Sequence, residues 1–272
     1  MRVTGLHAHA FQAAEYKSRD SSSSSSRNTV SSCSNGGDGS AAASTSTAGI
    51  PVVLLHGFMG STADWQPLMS ALAADGHPCL AVNLPGHGGT APVPGSTTGS
   101  TSSSSTAGSE AIGAGCYSIA AAAAAVEGAA AAAFGPGTPC LLVGYSMGAR
   151  VVLQLALKQQ EQQQRAGGTG SRVQWAGAVV ISGTPGMPDA DLRAARVQKD
   201  AELASMLTLQ GSARFLEWWY QQPLWASLRQ HPGFSRLLQQ RQREQLGQEQ
   251  QLAAALQYGS TGRMVSAALA VG

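Results

Sequence analysis

The segment Cys140-Leu141-Leu142-Val143-Gly144-Tyr145-Ser146-Met147-Gly148 constrains this chain more than any other stretch of it. A short apolar run closed by glycine reads as a strand buried on both faces of a parallel sheet. From Met147 to Lys158 apolar residues recur at helical spacing, with Val151, Val152, Leu155 and Leu157 as candidate core contacts. Strand, turn and helix in that order give Gly-x-Ser-x-Gly the context it needs before it carries meaning. The small residues permit a sharp bend that lifts the Ser146 hydroxyl clear of the sheet and aims the following backbone N–H groups at the same space. A helix N-terminus there adds positive potential for a developing oxyanion. Ser146 is therefore the candidate reactive residue, the plain alternative being an ordinary serine in a glycine-rich turn.

The same alternation recurs along the chain. Pro51–Gly57 is an apolar run ending in glycine, followed by a helix that Ser61 or Thr62 can cap, with Trp65, Leu68, Met69 and Leu72 at helical spacing through Ala74. Cys79–Leu84 is a second buried strand, closed by Pro85-Gly86-His87-Gly88-Gly89. An alanine-rich helix over 117–134 precedes the Cys140 strand, and Val173–Ile181 supplies the next one. Strands alternating with helices imply right-handed crossovers and a mostly parallel sheet, with chemistry at the carboxyl ends of its strands. Beyond Gly183 the chain becomes rich in Leu, Gln and Arg, with Trp218, Trp219 and Trp225, which predicts a group of helices capping that strand-end face.

The expected division is residues 1–49 as an edge strand at Arg2–Phe11 and a disordered Ser/Gly-rich linker, 50–188 as an α/β core with a flexible insertion at 90–116, 189–260 as a helical cap, and 261–272 as a tail. The Ser/Thr/Gly composition of the linker and insertion cannot offset its ordering entropy by burial. With 17 Lys plus Arg against 15 Asp plus Glu, the net charge of +2 supplies no field for nucleic acid and fits a small-molecule role better. The cysteines Cys33, Cys79, Cys116 and Cys140 form no Cys-x-x-Cys pair, and two of them sit in apolar runs, as expected in a reducing compartment. The run Ile119–Phe134 is nearly all alanine, too weakly hydrophobic for a membrane span. Met1–Arg19 lacks the apolar core of a secretory signal, leaving a transit function open.

His56-Gly57-Phe58-Met59-Gly60 ends the first core strand, where a flexed loop can add a second oxyanion donor, the Phe58 N–H alongside that of Met147. His56 and His87 read as histidines that brace loops rather than as proton carriers. His-Gly-Phe-Met-Gly, Asn-Leu-Pro-Gly-His-Gly-Gly and Gly-Tyr-Ser-Met-Gly at these relative positions resemble the α/β-hydrolase superfamily. The longer pattern Gly144-Tyr-Ser-Met-Gly-Ala-Arg150, Gly183-Thr-Pro-Gly186 and Trp218-Trp-Tyr-Gln-Gln-Pro-Leu-Trp-Ala-Ser-Leu228 resembles one family within it, the 2-succinyl-6-hydroxy-2,4-cyclohexadiene-1-carboxylate synthases of menaquinone and phylloquinone biosynthesis. The resemblance covers roughly residues 51–258.

That resemblance implies a lyase that eliminates pyruvate from a tricarboxylate enolpyruvyl cyclohexene with its serine as base, needing no cofactor and no metal. Arg150, one helical turn after Ser146, matches the arginine of the family motif, and its guanidinium is expected to reach the same pocket. Arg196 and Arg241 align with cap arginines that grip substrate carboxylates, and Tyr145 and Trp219 match pocket residues. A solvated helix face beside Arg193, Arg236 and Arg243 is the plain alternative for Arg196 and Arg241. The family also implies a chloroplast location, otherwise cytoplasmic, and the linker before residue 50 suits fusion with, or proximity to, other quinone-pathway enzymes.

One part of the pattern is missing. A hydrolase triad continues from Ser to an acid and then a His after late strands. After Ser146 the only histidine is His231, in a His-Pro-Gly that reads as a turn. The expectation is a C-terminally truncated α/β-hydrolase fold with little synthase activity alone. Two other readings stay open: a carboxylester hydrolase acylated at Ser146, and a noncatalytic binding module.

Overall fold

A computed structural model describes residues 30–33, 49–89, 115–164 and 173–264. Its five-stranded sheet has the order β1-β3-β2-β4-β5, where β1 is Val30–Cys33, β2 Val52–Leu55, β3 Cys79–Val82, β4 Pro139–Tyr145 and β5 Gln174–Ile181. The last four strands are parallel, with Val53 level with both Leu80 and Leu142, and Val143 level with Val179. Every residue of β2 and β3 is buried, which is why these runs are continuously apolar rather than alternating.

Helix α1 (Gln66–Ala74) follows β2, α2 (Ile119–Phe134) precedes β4, and α3 (Met147–Gln164) joins β4 to β5. Ser61 caps the turn leading into α1: its side chain accepts from the Ala63 amide, while the Asp64 carboxylate accepts from the Ser61 amide, a reciprocal box. Trp65 and Met69 face the core, whereas Leu68 is exposed, so only part of the predicted apolar face packs inward. On α2 the alanines let the helix approach α3 closely, and Val126 lies in the same apolar cluster as Val151, Val152 and Leu155. Leu157, expected in that core, is only half-buried because the α3 face has by then rotated toward its edge.

The cap comprises α4 (Ala190–Gln221), α5 (Ala226–Arg229), α6 (Phe234–Glu244) and α7 (Glu249–Tyr258). Its interior is a separate cluster around Leu207, Phe215, Leu216, Tyr220 and Leu252, and Met59 from the loop after β2 is inserted into it. Long as it is, α4 bends at Gly211, whose φ of 82° breaks the helix; the freed Ser212 amide and hydroxyl both donate to Glu249 Oε1. Among the described residues no helix is long and apolar enough to cross a membrane.

The edge strand placed at Arg2–Phe11 lies outside the described residues. The antiparallel edge observed is Val30–Cys33, within the stretch read as linker, with Val30 level with Val82 and Cys33 level with Cys79. Most of the 90–116 insertion also lies outside the described residues. The segment read as a tail begins with a packed turn, Thr261–Arg263, where Thr261 is buried and a Cβ on Gly262 would strike the Arg193 carbonyl. Its polar composition hid this, because the turn is held by backbone contact rather than by apolar burial.

Candidate active site at the carboxyl edge of the sheet

Ser146 follows β4 with φ of 52°, a left-handed conformation that costs an L-residue roughly 1–2 kcal/mol and persists only where its surroundings hold it. They do so through the backbone. The Ser146 amide donates to the Ile181 carbonyl at 2.9 Å, and the Gly148 amide donates to the His56 carbonyl at 3.0 Å, so the ends of β2, β4 and β5 are tied at this one bend. A Cβ on Gly144 would lie 2.5 Å from the Gly148 carbonyl oxygen, and one on Gly148 would collide with the Leu55 carbonyl. Both glycines of the motif are thus required by close approach. The serine itself is half-buried.

Beside it stands the loop after β2. A Cβ on Gly57 would come within 3.2 Å of the Ser146 Cβ and 2.8 Å of the Tyr145 ring. Among the described residues neither the Phe58 nor the Met147 amide donates to an acceptor. The Phe58 ring meets Trp219 edge-on at 5.6 Å, and Trp219 stacks on Phe215 at 5.7 Å, which joins the loop to the cap. Tyr145 is half-buried, and burial, then the neighbouring Tyr220, raise the pKa of its phenol.

The two histidines brace this edge, as their sequence setting implied. His56 Nδ1 donates to the Gly57 carbonyl while Nε2 accepts from the Leu84 amide at 3.0 Å. His87 Nε2 accepts from the Met59 amide at 3.2 Å, and its Nδ1 donates to the Pro85 carbonyl. Each ring therefore needs one protonated and one bare nitrogen. Burial holds both neutral, lowering the pKa to about 4 for His56 and about 3 for His87. His231 accepts at Nδ1 from the Gly233 amide, a turn contact before α6.

The three arginines diverge from one another. Arg150 does leave α3 one turn after Ser146, but its guanidinium donates to the Gly259 carbonyl and to Thr261 Oγ1, closing the end of α7. Burial, and then Arg196, lower its pKa to about 10. The Arg196 side chain is 41% exposed and donates from Nε to both oxygens of the buried Asp200. Arg241 is the buried one, 7% exposed, so the solvated-face reading does not hold for it. Its Nη2 donates to Asp64 Oδ2 at 2.7 Å, whereas Nη1 stands 3.7 Å from Glu244 Oε2. Burial opposes its charge, but Asp64, Tyr220 and Glu244 outweigh burial and raise its pKa.

Sequence reasoning missed Asp64, Tyr220 and Glu244. The Ser61-x-x-Asp64 spacing announces a helix cap, but nothing local announces that the same carboxylate meets an arginine 177 residues away. Two depressions on the cap surface, one of about 840 Å³ beside Met206 and Trp218 and one beside Gly211 and Gly247, include none of the predicted site residues.

Comparisons with known proteins agree with this fold. The family model described as alpha/beta hydrolase fold matches residues 50–168. Protein PHYLLO, chloroplastic, of Arabidopsis thaliana is 33% identical over 189 residues, covering 70% of this chain and 9% of that protein. The 2-succinyl-6-hydroxy-2,4-cyclohexadiene-1-carboxylate synthase of Escherichia coli O1:K1 / APEC is 31% identical over 181 residues, covering 66% of this chain and 57% of the synthase. The chain thus matches little more than half the length of that relative. The structure of MenH from S. aureus superposes with a TM-score of 0.59 at 22% identity, over 80% of this chain and 68% of that one, a likeness of fold. Sheet order, strained Ser146 turn, family model and relatives converge: this is an α/β-hydrolase-fold chain, similar in sequence to the 2-succinyl-6-hydroxy-2,4-cyclohexadiene-1-carboxylate synthases.

Proposed function

We propose that this chain carries the serine-bearing part of a lyase that eliminates pyruvate from 2-succinyl-5-enolpyruvyl-6-hydroxy-3-cyclohexene-1-carboxylate, in menaquinone- or phylloquinone-type biosynthesis. The observation that carries the reading is the left-handed Ser146 beside Gly57, with the buried, charged Arg241 held close to Tyr145 and Tyr220 at the same edge. Ser146 acts as base and removes a ring proton, the carbon–oxygen bond to the enolpyruvyl group breaks, and the departing enolpyruvate takes up a proton to become pyruvate. The Phe58 and Met147 amides stabilise oxyanion character. Arg241, Arg150 and Arg196 bind carboxylates of the substrate, exchanging protein partners for ligand oxygens, and Tyr145 and Trp219 shape the pocket. The chloroplastic relative supports a plastid setting.

A serine of ordinary pKa is a weak base without a partner. Among the described residues His56 and His87 are locked in loop contacts, His77 faces the Ile50 carbonyl and His231 sits in a turn, so none serves Ser146. The 272-residue chain should therefore release pyruvate slowly. Fusing the C-terminal part of the Escherichia coli synthase to it should raise the rate about a thousandfold or more, and Ser146→Ala should erase that gain. Pyruvate release measured with a coupled dehydrogenase checks this. No pyruvate from the fusion would end the proposal, and a Ser146-dependent burst from a p-nitrophenyl ester in its place would establish an esterase.

A further inference from the structure

Four residues close a ring between the loop after β2 and helix α6. Asp64 Oδ2 accepts from Arg241 Nη2 at 2.7 Å and from the Ser61 amide at 3.2 Å. Ser61 Oγ donates to Glu244 Oε2 at 3.1 Å, and Glu244 Oε2 faces Arg241 Nη1. Next to this ring, Gln245 Nε2 donates to the Met59 carbonyl, a further tie between the same two elements. On the loop side the contacts run on toward the serine: a Cβ on Gly60 would lie 2.7 Å from Asp64 Oδ2, the Gly60 amide donates to the Gly57 carbonyl, and Gly57 stands against Ser146. On the cap side Arg241 Nε and Nη1 are buried without a hydrogen-bond acceptor. Unmet donors of that kind are costly inside a protein, and a carboxylate oxygen is the acceptor that would relieve them.

We propose that Asp64 is a positioning residue: by holding one edge of the Arg241 guanidinium it leaves Nε, and Nη1 beyond its 3.7 Å contact with Glu244, to a substrate carboxylate, and by holding Ser61 it fixes the Gly57–Gly60 loop beside Ser146. Carboxylate capture in the cap and loop geometry at the serine are then one coupled arrangement. The inference rests on the lyase reading for the nature of the ligand, but not for the existence of the clasp.

The test uses Asp64→Asn, Asp64→Glu, Arg241→Met and the Asp64→Asn/Arg241→Met double variant in the 272-residue chain, with 2-succinylbenzoate as a stable dicarboxylate probe. Calorimetry should show binding weakened about tenfold in Asp64→Asn, restored to within about threefold of the parent in Asp64→Glu, and no weaker in the double variant than in Arg241→Met. Hydrogen exchange of the amides in 57–64 should speed up in Asp64→Asn at a temperature where circular dichroism shows it folded. Affinity in Asp64→Asn equal to the parent's would overturn the positioning role, as would additive losses in the double variant. Should the parent bind no 2-succinylbenzoate, the lyase reading falls, and the exchange arm alone decides the clasp: unchanged protection in Asp64→Asn refutes it and faster exchange upholds it.

Discussion

The loops at the carboxyl edge of the sheet and the cap above them are held by different means. Around Ser146 the ties are backbone to backbone or imidazole to backbone, with glycines where no side chain fits. In the cap they are ion pairs, aromatic contacts and a few side-chain amides, as in the Asp64–Arg241 pair and the Phe215–Trp219 stack. Where backbones approach this closely no added Cβ fits, so the glycines of these loops tolerate almost no change. Side-chain ties can be replaced, weakened or exchanged for ligand contacts, which suits a surface that must admit a substrate.

That contrast can be broken in four ways, taken from the largest effect downward. Acid should attack the strand-end loops first. Because burial depresses the pKa of His56 to about 4 and of His87 to about 3, the unfolded chain, near 6.5, takes up protons before the folded one does. Their stabilising contribution is complete above about pH 6.5 and is lost as pH falls toward the folded values, at about 1.4 kcal/mol per pH unit for each histidine. Denaturant titrations at pH 6.5 and 5, a window above the ordinary carboxylate range, should therefore differ by about 3 kcal/mol, because the unfolded histidines are already half protonated at the upper end. A flat profile would mean that the rings are not held neutral.

Gly148→Ala should cost about 3 kcal/mol or more, since the new methyl meets the Leu55 and His56 carbonyls, which cannot yield without moving β2. Chemical denaturation checks it, and a loss below 1 kcal/mol, small beside the usual cost of overpacking, would show the bend to be softer than its contacts imply. In the cap, Trp219→Ala should cost about 2 kcal/mol, less than a fully buried tryptophan, because its ring is already partly exposed. The Met59 and Phe58 loop should become more accessible to exchange in the same variant, for Phe58 loses its edge contact. Smallest of all, Arg196→Ala should cost about 1 kcal/mol: the Arg196 side chain is 41% exposed, which screens the pair, but the buried Asp200 carboxylate loses its partner one turn away on the same helix. Under the lyase reading that variant should nevertheless raise KM, which separates a ligand contact from a structural one.

Local sequence carried the parts of this molecule that depend on short-range physics. Short apolar runs alternating with helices read as strands of a parallel sheet, and β2 to β5 are those strands, β2 and β3 being buried on both faces. The Ser146 turn was equally plain, because glycines on either side of one serine between a strand and a helix leave few other conformations. Histidines set among glycines and carbonyl-rich turns were readable as braces, and hydrogen bonds across the loops bear that out.

The tertiary structure alone decided which cations are free to act and which are engaged. Arg150, Arg196 and Arg241 look alike in the sequence, yet one closes the end of α7, one pairs along its own helix, and one is buried against a carboxylate 177 residues away along the chain. It also decided that Val30–Cys33 forms the sheet edge and that residues 260–263 pack against α4. The physical reason is common to all of them. A strand or a turn is specified by neighbours a few positions away, whereas the partner of a charge, an edge strand or a terminal turn is specified only by which distant surfaces the folded core brings together.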